Sequence, residues 1–346
     1  MPYGVIDVHA HVCPAHFDVS PGLKAAPHMP CLCHKPGGLA ELTIEGKNFR
    51  TLDVRSWDIQ RRLDDMHDAG VTAQVLSPMP ELLSYWFSPR DGEEMSDTMN
   101  GFIADMVARQ PNHFAGLGMV PLQDVDLAIA SLRRVKEVYH LAGVEIGTNI
   151  TGILPGDPRF EPFWEAAASL NLAIFIHPLH PVSQKLENPP TLFHPLAGFL
   201  ADTGFAGGSL LLSGVLSRHP TLRIGLSHGG GGLVPLIPRL TQAYNSMEHF
   251  RIKMLEPPAQ AASRLFYDSN VYDTAYLTYL ARDVAPGRVF LGTDYPYEIM
   301  QTSPTAYLAS AALPEAIRQS LARGAAEIFL NTPKLGMTGN KTETSA

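Results

Sequence analysis

The sequence predicts an α/β fold, a (β/α)8 barrel of the TIM type with a small inserted lobe after the first strand. Short apolar runs alternate with amphipathic stretches along most of the 346 residues. This alternation is typical of parallel strands that are joined by crossover helices. Eight such runs occur, which is the strand count of this barrel. A doubly wound open sheet is the alternative, but it normally carries a glycine-rich turn after its first strand, where this chain has His9-Ala10-His11.

The eight apolar runs are short and rich in leucine and β-branched residues, as expected of strands that are buried on both faces. In chain order they span 4–8, 71–76, 114–120, 142–146, 172–176, 222–226, 265–269 and 289–292. The helices predicted between them span 58–68, 93–109, 126–138, 162–169, 196–217, 234–247, 275–283 and 314–330. Gly70 follows the first of these helices as a C-terminal cap, and Asp124 precedes the third as an N-cap.

Residues 14–55 interrupt the alternation, because they contain Pro, Gly, Cys and Lys without a helical period. We expect them to form the inserted lobe, with a small hairpin at 42–49. A second long loop spans 178–195. Long loops in compact domains are usually functional. The expected domain organisation is one barrel domain over 1–335 and a flexible tail over 336–346.

Composition excludes several classes of protein. With 45% hydrophobic and 17% charged residues, the chain has enough apolar material for a core and too little charge for disorder. The net charge of −8 disfavours a nucleic-acid partner. No apolar run is long enough to span a membrane, and the N-terminus lacks the features of a signal peptide. Three cysteines cannot form a disulfide framework, so we expect a cytoplasmic protein.

Histidines and an aspartate follow four of the predicted strands. His9 and His11 lie on one face of the first strand, since residues i and i+2 point the same way. Alone, this pair is more typical of two structural histidines than of a metal site. His177, His228 and Asp294 each follow a later strand, and all strand ends of a barrel open onto one face. Imidazoles and a carboxylate that converge there predict a catalytic metal site with one open position.

Two other motifs leave alternatives open. The glycines at 229–232 form either a flexible turn or a loop that lets the backbone approach a ligand closely. Cys31 and Cys33 precede His34 in the insert, but the segment lacks the second ligand pair of a structural zinc module. We therefore interpret these cysteines as structural or as surface residues.

Seven segments carry a family resemblance, in the expected order along nearly the whole chain. They are IDVHAH at 6–11, GKNFR at 46–50, SWD at 56–58, VPLQDVDLA at 120–128, IHP at 176–178, LSHGGG at 226–231 and LGTDYPY at 291–297. On these motifs the chain resembles the amidohydrolase superfamily. Within it, the chain is similar to the branch of metal-dependent decarboxylases typified by 2-amino-3-carboxymuconate 6-semialdehyde decarboxylase.

The resemblance implies roles for individual residues. One divalent metal, zinc or alternatively manganese, would be bound by His9, His11, His177 and Asp294. His228 would act as the catalytic acid or base beside it, together with Asp294. Substrate-binding residues would be Arg50, which matches an arginine that holds a substrate carboxylate, Trp57 of the SWD motif, and Arg239. His180 lies outside the matching motifs, in the loop after His177, and is a further candidate for contact with the substrate. Because Arg239 matches an arginine that reaches the neighbouring subunit's site, a homodimer is implied.

The fourth predicted strand ends Val144-Glu145-Ile146-Gly147 without a lysine, which fits a single metal. The loop after His177 departs from the pattern of the branch, and it carries His180 and Lys185. Since this loop covers the predicted barrel mouth, the departure bears on which substrate is bound.

Three functions are compatible with these observations to different degrees. The first is a non-oxidative decarboxylase of an aromatic or muconate-type carboxylic acid. The second is a metal-dependent hydrolase or hydratase of a related ring-derived acid, which would use the same five residues. The third is a barrel without enzymatic activity, against which the convergent ligand set argues.

Overall fold

Eight parallel strands form the central sheet of the protein, and three antiparallel strands form a second, smaller sheet. The computed structural model describes residues 4–332 and 335–336. The strands are β1 (Ile6–Val12), β2 (Cys31–Lys35), β3 (Leu39–Ile44), β4 (Lys47–Asp53), β5 (Ala73–Pro78), β6 (Phe114–Gly118), β7 (Gly143–Gly147), β8 (Ala173–His177), β9 (Arg223–Leu226), β10 (Phe266–Asp268) and β11 (Val289–Phe290). The order of the large sheet is β1-β5-β6-β7-β8-β9-β10-β11.

The large sheet closes into a barrel, as the sequence predicts. Hydrogen bonds join the end of the last strand to the first, from Val8 N to Leu291 O at 2.9 Å and from Asp294 N to His9 O at 2.8 Å. Each of the eight predicted runs overlaps one strand of this sheet. The fold class is therefore confirmed.

Helices surround the barrel and follow the strands that they connect. They are α1 (Pro21–Lys24), α2 (Ile59–Ala69), α3 (Pro89–Arg109), α4 (Val125–Glu137), α5 (Glu161–Ser169), α6 (Phe199–Ser213), α7 (Val215–Arg218), α8 (Leu233–Ser246), α9 (Glu248–Met254), α10 (Pro258–Ala262), α11 (Thr274–Tyr279), α12 (Pro304–Ser310), α13 (Glu315–Gln319) and α14 (Ala325–Leu330). The predicted caps are present: Gly70 has a φ of 70°, and the Asp124 side chain accepts a hydrogen bond from Leu127 N.

Two predicted helices are divided in the structure, and the structure contains further short helices that the sequence does not predict. The helix expected at 196–217 ends at Gly214, whose φ of 73° separates α6 from α7. The helix expected at 314–330 consists of α13, a wider turn at Ser320–Gly324 and α14. The short helices α9, α10 and α12 lack a long amphipathic period, so the sequence pattern does not reveal them.

The inserted lobe is a three-stranded antiparallel sheet rather than a single hairpin. The hairpin expected at 42–49 is the turn between β3 and β4, and β2 pairs with the other edge of β3. Alternate residues of the central strand, Ala40, Leu42 and Ile44, are buried, while their neighbours are not. The sequence prediction was too short because β2 is mostly exposed and has no apolar alternation. The division into a domain over 1–335 and a tail stays a prediction, and residues 337–346 lie outside the described residues.

Apolar side chains fill the barrel and close one end. The interior cluster contains Ile6 and Val8 of β1 together with Phe175, Phe266 and Phe290 from three other strands. Phe329 of α14 packs beneath them, with its ring 5.2 Å from that of Phe266 and 5.0 Å from that of Phe290. The floor of the barrel is therefore hydrocarbon, and the opposite end, where the strands terminate, is the open one.

An irregularity in β1 determines which way its histidines point. Ile6 pairs with Ala73 and His11 pairs with Ser77, so β1 has one residue more than β5 between these positions. Such a bulge reverses the alternation of side chains along a strand. Ile6 and Val8 point into the barrel before the bulge, and His9 and His11 do so after it.

One helical segment of the described chain, His194–Ser213, is long and apolar enough to cross a membrane by length and composition. It comprises α6 and the turn before it, and 50% of it is buried. A Cβ atom at Gly204 would lie 2.8 Å from the backbone of Gly232, so α6 packs closely against the start of α8. The segment is a core helix of the barrel shell.

Arg62 of α2 is fully buried and connects this helix to the strand that carries the histidines. It donates hydrogen bonds to Gln74 Oε1 at 2.7 Å, His11 O at 2.7 Å and Arg55 O at 2.8 Å. Its guanidinium carbon lies 4.6 Å above the ring of Tyr295. Burial lowers the pKa of Arg62 to about 10, so the side chain remains charged at neutral pH.

Replacing Arg62 with Ala is expected to lower the free energy of unfolding by about 2–4 kcal/mol, because two buried acceptors and one half-buried acceptor lose their donor. Chemical denaturation of the two proteins measures the difference. Arg61→Ala is the matched control, since Arg61 is exposed and, among the described residues, pairs only with Asp65 on the same helix; it should change stability by less than about 0.5 kcal/mol. Equal effects of the two substitutions would contradict the proposed importance of Arg62.

Candidate metal centre

Four buried side chains converge at the open end of the barrel. The ligand atoms of His9, His11, His177 and Asp294 all lie within 4.8 Å of one another. His9 and His11 come from β1, His177 ends β8, and Asp294 follows β11. The sequence predicts that these four residues converge, and the structure places them together, because the parallel strands of a barrel terminate on one face.

The hydrogen bonds of the three imidazoles leave one nitrogen of each directed toward the centre. Nδ1 of His9 lies 2.6 Å from Asp268 Oδ2, Nδ1 of His11 lies 3.0 Å from Pro78 O, and Nδ1 of His177 lies 3.0 Å from Pro178 O. Carbonyl oxygens only accept hydrogen bonds, so Nδ1 of His11 and His177 must carry the proton. The Nε2 atoms of His11 and His177 then present lone pairs, which is the state that a metal ligand requires.

Several features of the cluster fit a bound cation. Nε2 of His9 and Nε2 of His11 face each other at 3.0 Å. Nε2 of His177 and Oδ1 of Asp294 are buried and lack hydrogen-bond partners within the described part of the chain. A divalent ion would satisfy all four atoms at once, and three imidazoles with one carboxylate are a donor set suited to zinc or manganese.

The electrostatics of the cluster favour a positive charge at its centre. Burial disfavours the carboxylate of Asp294, but His9, His11 and His228 outweigh this and hold the pKa of Asp294 well below its usual range. Burial and the neighbouring imidazoles lower the pKa of His177, which keeps it neutral. Burial also opposes charge on His9, yet Asp294 and Asp268 raise its pKa well above the ordinary value. A bound cation would supply the positive charge that this proton otherwise provides.

Asp268, at the end of β10, is a residue of the site that the sequence analysis missed. Besides contacting His9, its carboxylate accepts hydrogen bonds from His228 N at 2.9 Å and Gly229 N at 2.7 Å. The glycine at 292 permits this packing, because a Cβ atom there would lie 2.8 Å from the Cβ atoms of both His9 and Asp268. Asp268 thus orients a candidate ligand and fixes the loop that carries His228.

The glycine-rich turn after β9 packs closely against neighbouring chain segments. Gly229 has a φ of 61°, and a Cβ atom at Gly231 would lie 2.3 Å from Leu200 O. The amide of Gly229 donates to Asp268, an anion that belongs to the protein itself. The glycines therefore allow close packing within the protein, and an approach of this backbone to a ligand stays a prediction.

His228 lies beside the metal cluster without belonging to it. Its Nε2 is 3.6 Å from Asp294 Oδ2, and its side chain is 11% exposed. Both residues adopt left-handed backbone conformations, with φ of 53° for His228 and 66° for Asp294. Such strain in residues other than glycine is characteristic of functional sites.

Glu145 of β7 is a further buried group that the sequence analysis did not assign. One of its carboxylate oxygens lies 3.7 Å from His11 Nδ1. Neither oxygen has a hydrogen-bond partner among the residues that the structure describes. Burial raises the pKa of Glu145 to about 8, which favours its uncharged form at neutral pH.

Arg50, at the end of the GKNFR motif, lies near the centre but already has an ionic partner. Its Nε and Nη2 donate to Glu81 Oε1 at 3.0 and 2.6 Å. Its guanidinium carbon lies 3.9 Å above the ring of Tyr297, which in turn stacks on His11. Neither Glu81 nor Tyr297 was expected from the sequence to contact this arginine.

A cavity of about 500 Å³ lies beside the centre, between the β3–β4 hairpin and the loops after β5, β7 and β8. His180 lines it, with its ring 4.9 Å from that of Trp86 and 6.4 Å from that of Phe49. Burial lowers the pKa of His180, which favours its neutral form. The cavity's residues include Lys47 and Asn149 but none of the four cluster residues.

The remaining expected site residues lie elsewhere. Trp57 does not line this cavity; it packs partly buried against the core, and its ring is 5.7 Å from that of His34. Arg239 is exposed on α8 and forms no hydrogen bond or ion pair with any described residue. Their contacts with substrate stay predictions. Cys31 and Cys33 are exposed free thiols outside the metal cluster.

The whole barrel matches a known family. A family model described as amidohydrolase matches residues 6–331. The chain belongs to the amidohydrolase family. Among relatives of this amidohydrolase, the 2-amino-3-carboxymuconate-6-semialdehyde decarboxylase of Dictyostelium discoideum is 32% identical over 305 residues, which cover 86% of this chain and 83% of the relative. The gamma-resorcylate decarboxylase of Rhodococcus jostii is 27% identical over 310 residues, 83% of this chain and 92% of the relative.

Solved structures of similar fold cover nearly all of the amidohydrolase chain. The apo form of IDCase from Metarhizium anisopliae superposes with a TM-score of 0.80 at 20% identity, covering 95% of this chain and 97% of the other. A dihydroxybenzoic acid decarboxylase from Polaromonas, with bound manganese and the inhibitor 2-nitroresorcinol, gives a TM-score of 0.73 at 20% identity with the same coverage. At these identities the structural matches establish the barrel fold.

Substitutions in the cluster should affect metal content in a graded manner. His177→Ala and Asp294→Ala each remove a ligand atom and should abolish stoichiometric metal binding. Asp268→Asn leaves the ligands intact but weakens the hydrogen bond that orients His9, and should lower metal affinity about 10–100-fold. Elemental analysis and competition with a chelator measure these effects. His180→Ala is the control and should bind metal normally; full occupancy in either ligand variant would refute the ligand assignment.

Proposed function

We propose that this amidohydrolase is a metal-dependent non-oxidative decarboxylase that acts on an aromatic or muconate-type carboxylic acid. The observation that carries the proposal is the buried cluster of three histidines and one aspartate with His228 beside it. The decarboxylase relatives, which match over most of the chain, support it. The composition of the cavity, with aromatic and polar side chains, suits a planar acid.

His9, His11, His177 and Asp294 would hold one divalent ion. When bound, the ion supplies a Lewis acid that stabilises negative charge on the substrate's oxygen atoms. We propose zinc, because the histidine-rich donor set suits it. Manganese is the second candidate, since the Polaromonas neighbour contains manganese.

His228 is the proposed proton donor. In the reaction the bond between a substrate carbon and its carboxylate breaks, and carbon dioxide leaves without the bonding electron pair. His228 gives a proton to that carbon, so a C–H bond replaces the C–C bond, and the imidazole regains a proton from water. No electrons are exchanged with a second reactant, so the reaction is non-oxidative.

Asp294 and Asp268 support this role of His228. Asp294 Oδ2 lies 3.6 Å from Nε2 of His228 and would orient its ring. Asp268 fixes the backbone at His228 through a hydrogen bond of 2.9 Å. Arg50, Trp57 and His180 are the proposed substrate contacts within the subunit, because Arg50 lies near the centre and His180 lines the adjoining cavity.

The reaction is tested by mass spectrometry on a panel of aromatic and muconate-type acids incubated with the metal-loaded protein. Loss of carbon dioxide from at least one acid is expected. Gain of water with all carboxylates retained would instead assign the protein as a hydrolase or hydratase. His228→Ala should retain the metal and lower turnover by about 10²–10⁴-fold. Undiminished turnover in this variant would exclude His228 as the proton donor.

We further propose that the protein works as a homodimer in the cytoplasm, with Arg239 contributed to the partner's site. Exposed leucines just before and at the start of α6 support the dimer: Leu196 is 54% exposed and Leu200 is 41% exposed. Apolar side chains exposed next to each other commonly mark interfaces between proteins. All three cysteines are free, which suits a reducing compartment.

A mixing experiment tests the shared site. Inactive His228→Ala and Arg239→Ala variants are combined, dissociated and reassociated. A mixed dimer holds one site with an intact His228 and the partner's Arg239, so roughly a quarter of the sites should recover activity. Each variant treated alone is the control and should remain inactive. Absence of recovery in a mixture shown by sedimentation to contain dimers would refute the contribution of Arg239 in trans.

A further inference from the structure

Asp202 of α6 is a fully buried acid whose hydrogen-bond partners in the described chain lie in the loops after β7 and β8. Its Oδ2 accepts hydrogen bonds from Thr148 Oγ1 at 2.7 Å and from Asn149 Nδ2 at 2.8 Å. Its Oδ1 accepts one from Val182 N at 3.0 Å. Backbone and side-chain amide nitrogens only donate, so both oxygens of Asp202 act as acceptors. One helix residue thus joins two loops at the open end of the barrel.

The same two loops form one side of the cavity beside the metal cluster. The cavity residues that they contribute are Asn149 and Thr151 after β7, and Leu179, His180 and Gln184 after β8. Asn149 therefore belongs both to the cavity wall and to the hydrogen bonds of Asp202. A movement of either loop would change the shape of the cavity.

His180 has a backbone conformation that needs support from its surroundings. Its φ of 46° lies in the left-handed region, which residues with a side chain rarely adopt. Such a conformation persists only where neighbouring contacts fix it. Before His180, the carbonyl oxygen of Leu179 lies 3.4 Å from Asn149 Nδ2, and after it Val182 N donates to Asp202. The contacts of Asp202 and its partner therefore flank the strained residue.

Beyond Val182 the loop is less firmly attached. A Cβ atom at Gly198 would lie 2.2 Å from Ser183 Oγ, so the loop packs directly against the turn before α6. Ser183 Oγ lies 3.0 Å from His194 Nδ1, but this contact is only partly buried. The bond from Val182 to the buried carboxylate is thus the charge-assisted attachment of this loop to α6.

We propose that Asp202 is a positioning residue for the substrate cavity, because it fixes the loop after β8 and with it the ring of His180. The inference rests on the proposed function, in which this cavity binds the acid. Asp202 acts through the loop and does not itself line the cavity. Release of the loop should therefore weaken substrate binding while the metal cluster stays intact.

Val182→Pro removes a single hydrogen bond from the loop side. Proline has no N–H, and its ring places a carbon atom where the proton points toward Asp202. The position otherwise accepts proline: Val182 begins a helical turn with its side chain exposed, and Pro181 has the extended conformation that precedes proline. Val182→Ala is the matched control, since it shortens the same side chain and keeps the N–H.

Trypsin reports on the loop without any substrate. Lys185 ends the helical turn that Val182 begins, and it is exposed. Release of the loop should raise the rate of cleavage after Lys185 on the order of tenfold in Val182→Pro and leave it unchanged in Val182→Ala. Mass spectrometry of the fragments identifies the cleaved bond. Equal rates in the two variants would overturn the proposal.

Asp202→Asn tests the same contact from the helix side. When its oxygen accepts from Thr148 and Asn149, its NH2 group faces the N–H of Val182, and two donors cannot pair. Thr148→Val is the matched control, because it removes one hydrogen bond from the same carboxylate and leaves the bond to the loop. Cleavage after Lys185 should increase only in Asp202→Asn. An equal increase in both would show a general loss of stability and refute the positioning role; if Asp202→Asn does not fold, Val182→Pro decides.

Steady-state kinetics measure the consequence for the cavity, with an acid of the panel that loses carbon dioxide as substrate. In Val182→Pro, KM should rise on the order of tenfold and kcat should change by less than about twofold. Metal content should equal that of the unsubstituted protein. A loss of metal, or a fall in kcat at unchanged KM, would contradict a role in positioning the cavity wall.

The loop and the reaction are read separately. If trypsin shows release of the loop in Val182→Pro while no acid of the panel loses carbon dioxide, the attachment of the loop by Asp202 holds and the proposed decarboxylase function fails. If carbon dioxide is released but neither trypsin nor KM responds to Val182→Pro, the reaction holds and the positioning role of Asp202 fails.

Discussion

The buried carboxylate of Asp268 is the constraint on which the geometry of the centre depends. It accepts from His9 Nδ1 on one strand and from the amides of His228 and Gly229 after another. A fully buried carboxylate without such donors would be costly, so these groups must stay together. The same contacts fix the tautomer of a candidate ligand and the position of the proposed proton donor. The candidate metal site and the proposed proton donor thus share one structural support.

The bulge in β1 is the second requirement, and it acts through the register of the sheet. Without the extra residue, a strand whose Ile6 and Val8 face inward would turn His9 and His11 toward the helices. With the extra residue, β1 contributes side chains both to the hydrocarbon floor of the barrel and to its polar mouth. The buried Arg62, which donates to His11 O, holds the strand just beyond this irregularity. The direction of the candidate metal ligands and the contact of β1 with Arg62 therefore depend on neighbouring backbone groups of the same strand.

Much of the fold and the core of the site could be predicted from the sequence, for a physical reason. Strands buried on both faces appear as short apolar runs, and the polar residues that end them must meet at one face. The same rule extends to Asp268 and Glu145, which also end or interrupt apolar runs, but their partners could not be read from one sequence. The contact between Arg50 and Glu81 joins a hairpin of the lobe to the loop after β5, and its geometry depends on how the lobe docks. The three-stranded form of that lobe was missed because β2 is mostly exposed, so the stability of the strand comes from pairing rather than burial.

The phenylalanine floor has a consequence for the order of events at the centre. Phe266, Phe290 and Phe329 pack together below the cluster, so the described residues leave the strand ends as the approach to it. In the proposed reaction, substrate and products would then pass the same opening in sequence. The loops and rings that frame this opening would in that case control the rate of turnover. Two proteins with the same metal ion and the same metal ligands would then differ in turnover rate if the residues around this opening differed.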